Sequence, residues 1–158
     1  NGLYIWRQQQ AEQNSLLTTY SWQSVGISPT LTSQPCKYVE LDYSGEISKT
    51  FLSYEDIKRS YWSQVHKVSL KITPVQSLIL SASSDIVKKD LTENQSKTTG
   101  LLDFGITWLF KAFRFNLNLQ NALNQDAYSY TIYDSINTYI YDYKLRGREL
   151  LFTLAITL

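Results

Sequence analysis

The chain has 158 residues and a net charge of +1. That length suits one domain, and the balanced charge excludes the basic footprint of a nucleic-acid binder. No run reaches the roughly 18 apolar residues of a transmembrane helix, and a single cysteine, Cys36, excludes an internal disulfide framework.

Aromatic residues make up 14% of the chain, with 12 Tyr and 4 Trp, and mean hydropathy is −0.26. These values suit a soluble all-β protein as well as a membrane one, so patterning has to separate the two. Helical periodicity is scarce and period two dominates. Residues 3–7 (Leu-Tyr-Ile-Trp-Arg) read as the start of a strand. Residues 16–32 place Val25, Ile27 and Leu31 on one parity and Tyr20 and Trp22 on the other, with Pro29 interrupting the ladder. A short turn is expected at 33–36.

From Val39 to Ile47 the alternation is clean. Val39, Leu41, Tyr43 and Ile47 share one face, and Glu40, Asp42, Ser44 and Glu46 the other. Residues 65–73 set Val68, Leu70 and Ile72 against Lys67, Ser69 and Lys71. After a short turn at 74–76, Leu78, Leu80, Ala82 and Ile86 alternate with Ser77, Ser81, Ser83 and Asp85. Residues 101–110 line up Leu102, Phe104, Ile106, Trp108 and Phe110. A turn at 111–112 leads to Phe113, Phe115, Leu117, Leu119 and Leu123, opposed by Arg114, Asn116, Asn118 and Gln120. Longer polar connections are expected at 8–15, 53–62, 88–100 and 124–137.

Tyr128, Tyr130, Tyr139, Tyr141 and Tyr143 flank an expected turn at residues 134–137. They predict an aromatic hairpin at or above headgroup level, where a ring with a hydrated hydroxyl is favoured. Arg146 and Arg148 follow it. An Arg at a bilayer midplane costs roughly 2–4 kcal/mol, so both are expected at the interface or beside a bulge near Gly147. The last strand carries Leu150, Phe152, Leu154, Ile156 and Leu158 on one parity, and small residues on the other.

One apolar face shared by about eight strands, with short and long connections alternating, is the pattern of an antiparallel up-and-down transmembrane β-barrel. On that reading Glu40, Asp42, Glu46, Lys67, Lys71 and Arg114 face the lumen. If residues 53–62 form a hairpin connection, Asp42 faces Lys71 and Glu46 faces Lys67. The ladder would neutralise the lumen wall or contact a plug or solute. No catalytic or metal constellation appears, because one His and one Cys cannot build a site, and no cofactor is expected. His66 shares the parity of Val68 and is expected against lipid or headgroups.

From about residue 35 the chain resembles the carboxyl-terminal barrel of TonB-dependent receptors of the Bacteroidetes type. The residues that carry the likeness are Tyr38-Val-Glu-Leu-Asp-Tyr-Ser-Gly45, Asn118-Leu-Gln-Asn-Ala-Leu-Asn124, the Tyr-rich hairpin and Tyr143-Lys-Leu-Arg-Gly-Arg-Glu149. Gly147 stands where many relatives have Pro, and Leu158 where many have Phe. The resemblance implies a 22-stranded barrel closed around a plug. Residues 1–158 would form its last third as one domain without the plug, in keeping with the absence of Met.

The implied function is outer-membrane transport of a solute, with no covalent chemistry. The implied partners are outer-membrane lipid, the rest of the barrel and its plug, TonB through the plug, and a surface lipoprotein. The terminal strand would carry the assembly signal, with the carboxyl terminus periplasmic. A self-contained eight-stranded barrel with a structural or adhesive role, and a soluble β-sandwich that binds carbohydrate or protein, remain as alternatives.

Overall fold

The computed structural model describes residues 2–13, 16–54, 56–92, 95–133 and 138–157. Eleven strands are present: β1 (Gly2–Gln13), β2 (Leu16–Ile27), β3 (Thr30–Cys36), β4 (Val39–Tyr54), β5 (Ile57–Val75), β6 (Leu78–Thr92), β7 (Gln95–Phe110), β8 (Phe113–Gln120), β9 (Ala127–Tyr133), β10 (Thr138–Lys144) and β11 (Glu149–Ile156). All but two belong to one antiparallel sheet, ordered β1-β2-β4-β5-β6-β7-β8-β11, with β3 also on β4. β9 and β10 pair only with each other, as a separate hairpin.

β2 and β3 are one pass interrupted by Pro29. Ile27 lies opposite Ile47 and Thr30 opposite Ser44, so the alignment along β4 is unchanged across the break. Pro29 has no N–H to give to a ladder, but its carbonyl accepts from the Gly45 N–H at 2.8 Å. The other two prolines act similarly. Pro35 lies where the β3–β4 register shifts and Pro74 where the β5–β6 register shifts. Counting β2 and β3 together, the sheet makes eight passes, the number the alternation predicts.

Three expectations about connections are corrected. The turn expected at 33–36 is formed by 37–38, and Cys36 ends β3. The turn expected at 74–76 falls at 76–77. The long connections expected at 8–15, 53–62 and 88–100 are mostly strand: β4 continues to Tyr54, β5 begins at Ile57, and β6 and β7 reach Thr92 and Gln95. There both faces are polar, so side-chain alternation fades while backbone pairing continues. β5 has 19 residues, well beyond the 9–11 needed to cross a bilayer.

The sheet does not close. β1 and β11 stand at opposite edges and do not pair with each other, so the structure is an open antiparallel sheet and not the barrel expected from sequence. No second sheet packs on it among the described residues. The buried apolar residues among those described are Leu52, Tyr61 and Val87. All three lie on the face that carries Glu40 and Lys71. The apolar face has no layer against it: Leu150 is 66% exposed and Phe152 65%. This sheet is inverted relative to a soluble domain, with its few buried residues on the polar side.

Candidate functional site

Pairing carries the apolar parity from strand to strand without a slip. Tyr43 lies opposite Val68, Leu70 opposite Ala82, Leu80 opposite Ile106, Ile106 opposite Leu117, and Leu117 opposite Phe152. Leu154 and Ile156 continue this face, both exposed; Leu158 lies outside the described residues. The result is one continuous apolar surface across the sheet.

Aromatic rings border that surface at both ends. At the short-turn end Trp108 stacks on Phe115 at 5.4 Å between ring centres, and Phe113 on Phe115 at 6.2 Å. Lys111 in the adjacent turn sits 5.5 Å over Phe110, and Lys37 lies 4.7 Å over Tyr38. At the long-hairpin end Lys49 sits 5.2 Å from both Phe51 and Trp62. Between these borders, Val39 to Lys49 rises about 33 Å along the strand, or about 25 Å along the axis of a sheet tilted as in a barrel.

Several polar side chains lie within the upper part of the band, among them Gln64 opposite Ile47, Ser84 opposite Val68, and His66. His66 is opposite Gly45, and its Nδ1 is 2.9 Å from the Tyr43 hydroxyl. A Cβ on Gly45 would meet the Tyr43 hydroxyl and ring at 2.5 and 3.1 Å. The missing side chain lets the tyrosine lie across and satisfy the imidazole. This places His66 on the apolar face, as its parity implies.

The opposite face carries the charges, but in a different register from the expected one. Asp42 faces Ser69 and Glu46 faces Val65, whereas Lys71 faces Glu40. Lys71 Nζ and Glu40 Oε2 are 3.3 Å apart, both about half exposed. Lys67 lies opposite Ser44 on β4 and Asp85 on β6. The tight Tyr54–Ile57 connection sets this alignment. The expected alignment differs by a two-residue slip, which leaves every side chain on its own face; hydrophobic patterning therefore cannot detect it. Arg114 lies on the same face, exposed, opposite Leu109 and Ala155.

The Tyr-rich hairpin does not simply project upward. β9 leans on β6 and β7. Tyr128 closes a cavity of about 270 Å³ on the polar face, with Val65, Lys67, Asp85, Val87, Thr99 and Leu101. Lys97 Nζ on β7 reaches Asp142 Oδ1 on β10 at 3.1 Å, and the Ser129 hydroxyl donates to the same oxygen. Those bonds, first from Ser129 and then from Lys97, hold the Asp142 carboxyl below the ordinary carboxylate range. Tyr139, Tyr141 and Tyr143 are exposed. The side chain of Tyr130 and the expected turn at 134–137 lie outside the described set.

The hairpin is anchored by residues whose role the sequence did not show. Asn121 and Asn124 both take positive φ, 49° and 54°, a conformation Asn tolerates better than most residues. The buried Asn121 amide accepts from Gln125 N–H at 2.8 Å and donates to the carbonyls of Gln125 and Arg146 at 2.7 and 2.8 Å. Its own N–H donates to Asp103 Oδ1 at 2.7 Å. Asn124 Oδ1 accepts from Arg148 N–H at 2.9 Å. The stretch Asn118–Asn124 is thus a strand end plus a clamp that ties the entry of the hairpin to its exit. Residues 145–148 form an irregular connection, which keeps Arg146 and Arg148 above the start of β11.

No group of three or more His, Cys, Asp or Glu side chains suited to a metal occurs among the described residues. No helix among them is long and apolar enough to cross a membrane. No protein-family model, curated protein or solved structure matches the chain.

Proposed function

We propose that this chain is the carboxyl-terminal part of a TonB-dependent outer-membrane transporter, its apolar face toward lipid and its polar face toward the lumen. The observation that carries the reading is the continuous, exposed apolar face between two aromatic borders. Left in water, such a surface far exceeds the apolar patch of an ordinary soluble monomer. Aliphatic residues between aromatic girdles match a barrel wall about 25 Å tall. A β-sandwich would need a second sheet over this face, and no such layer is present among the described residues.

The two free edges support a larger barrel over a self-contained small one. A sheet edge cannot be left unpaired in hydrocarbon, because each bare N–H and C=O there costs several kcal/mol. Closure of this sheet on itself would pair β1 with β11, and they lie at opposite edges. On the proposed reading other strands of the same barrel pair with both. The polar face lines part of the solute path and meets the plug, and the Tyr128 hairpin overhangs it.

Cys36 offers a test of placement in intact cells. It is exposed at the short-turn end and is the sole cysteine. A membrane-impermeant maleimide should label it only after the outer membrane is permeabilised. In a Cys36→Ser background, Ser96→Cys at the opposite end should react in intact cells. The reverse pattern, or labelling of both sites in a soluble fraction, contradicts the reading. Transport is tested by solute uptake in cells with the gene intact, with it deleted, and without TonB. Loss in both altered strains is expected, and unchanged uptake overturns the assignment.

A further inference from the structure

Above the aromatic border on the lipid side, the apolar face holds a pocket of about 400 Å³ of mixed polar and apolar lining. Three strands build it. Ser21 of β2 lies opposite Ser53 of β4, which lies opposite Lys58 of β5; one step lower, Gln23 is opposite Phe51 and Phe51 opposite Ser60. The lining comprises the Phe51 ring, three hydroxyls, one carboxamide and one ammonium, together with Leu52 and Arg59, which have the opposite parity. Directly below it Lys49 lies over the Phe51 and Trp62 rings, which keeps a second cation at the same rim. The nearest acid on this face, Asp90, is engaged by the Trp62 N–H at 2.8 Å; Asp56 lies in the turn above.

Hydroxyl and amide donors beside two ammonium groups form a site for an oxyanion. Its position, outside the sheet and just above an apolar band, selects an anion carried on a lipid. We propose that this pocket and Lys49 hold the phosphate of an anionic lipid headgroup, one that, unlike phosphatidylcholine, carries no cationic group of its own, in the leaflet at the long-hairpin end. The inference rests on the lipid-facing reading of the apolar surface and adds a ligand class and a site to it. The short-turn end serves as the internal comparison, because Lys37 and Lys111 lie over single rings in separate turns.

The test measures partition of the complete barrel protein that contains this chain between detergent micelles and two kinds of vesicle: phosphatidylcholine alone, and phosphatidylcholine doped with phosphatidic acid. Each lysine near an anionic surface contributes roughly fivefold. The doped vesicles should therefore bind the chain about 25-fold better through this pair. Lys49→Gln with Lys58→Gln should remove that preference while leaving partition into pure phosphatidylcholine unchanged. Lys37→Gln with Lys111→Gln should keep most of it, and excess inorganic phosphate should not displace the lipid. Equal loss in both double variants reduces the effect to general surface charge and overturns the site. Full displacement by inorganic phosphate makes the ligand a free anion and overturns the lipid assignment. Failure of the unaltered complete barrel protein to enter either vesicle contradicts the membrane reading itself, and the site falls with it.

Discussion

Asn121 concentrates more structure than any other single residue described. It is buried, left-handed, and bonded through both amide atoms and its backbone N–H. Asn121→Ala leaves the Gln125 N–H and two carbonyls without these partners and also strains the backbone. A loss of roughly 2–4 kcal/mol is expected, read as earlier proteolysis of the hairpin in detergent; unchanged cleavage would deny the clamp. Asp142 makes a smaller contribution. Its folded pKa is lowered, so its stabilisation is complete above the ordinary carboxylate value of about 3.9 and is lost as pH falls through the lower folded value. The protection of β10 amides, taken as exchange relative to the intrinsic rate at each pH, should be steady from about pH 7 to pH 5 and should fall below about pH 4. Lys97→Gln should shrink that step, and high salt should weaken it, since the Asp142 side chain is 59% exposed.

At the scale of elements, face matters more than composition. On β11, Leu154 lies on the apolar face opposite Phe115, and Thr153 on the polar face opposite Asn116. Leu154→Arg should cost about 2–4 kcal/mol of stability in a bilayer, whereas Thr153→Arg should cost little. Equal costs at both positions would contradict the two-faced sheet. The same elements explain what the sequence could and could not disclose. Period two and the pairing register agree on which residues share a face from β4 to β8 and in β11, because apolar and polar residues alternate over most of each strand there. It failed beyond Lys49 and before Trp62, where polar residues occupy both faces beside the buried Leu52 and Tyr61, so the contrast is lost and β4 and β5 continue unseen. It also could not choose Glu40 over Asp42 as the partner of Lys71, because a two-residue slip preserves faces. The Asn118–Asn124 clamp escaped notice because a left-handed Asn has no periodic signature. The leaning of β9 on β6 and β7 is a long-range contact that local pattern does not encode.

For the whole molecule, the barrel wall we propose accounts together for the apolar face, the aromatic borders and the open edges. The apolar side chains that would fill the core of a soluble protein lie on the outside, and the described buried apolar residues lie under the hairpin end of the polar face. The central claim is that lipid covers that outer face. It is tested most directly by nitroxide labels placed singly from 150 to 156 in a Cys36→Ser background, with the chain in a bilayer. The account predicts oxygen accessibility that peaks at positions 150, 152, 154 and 156 and falls at 151, 153 and 155. Uniform accessibility to a water-borne relaxer along the strand, or the opposite alternation, would contradict it.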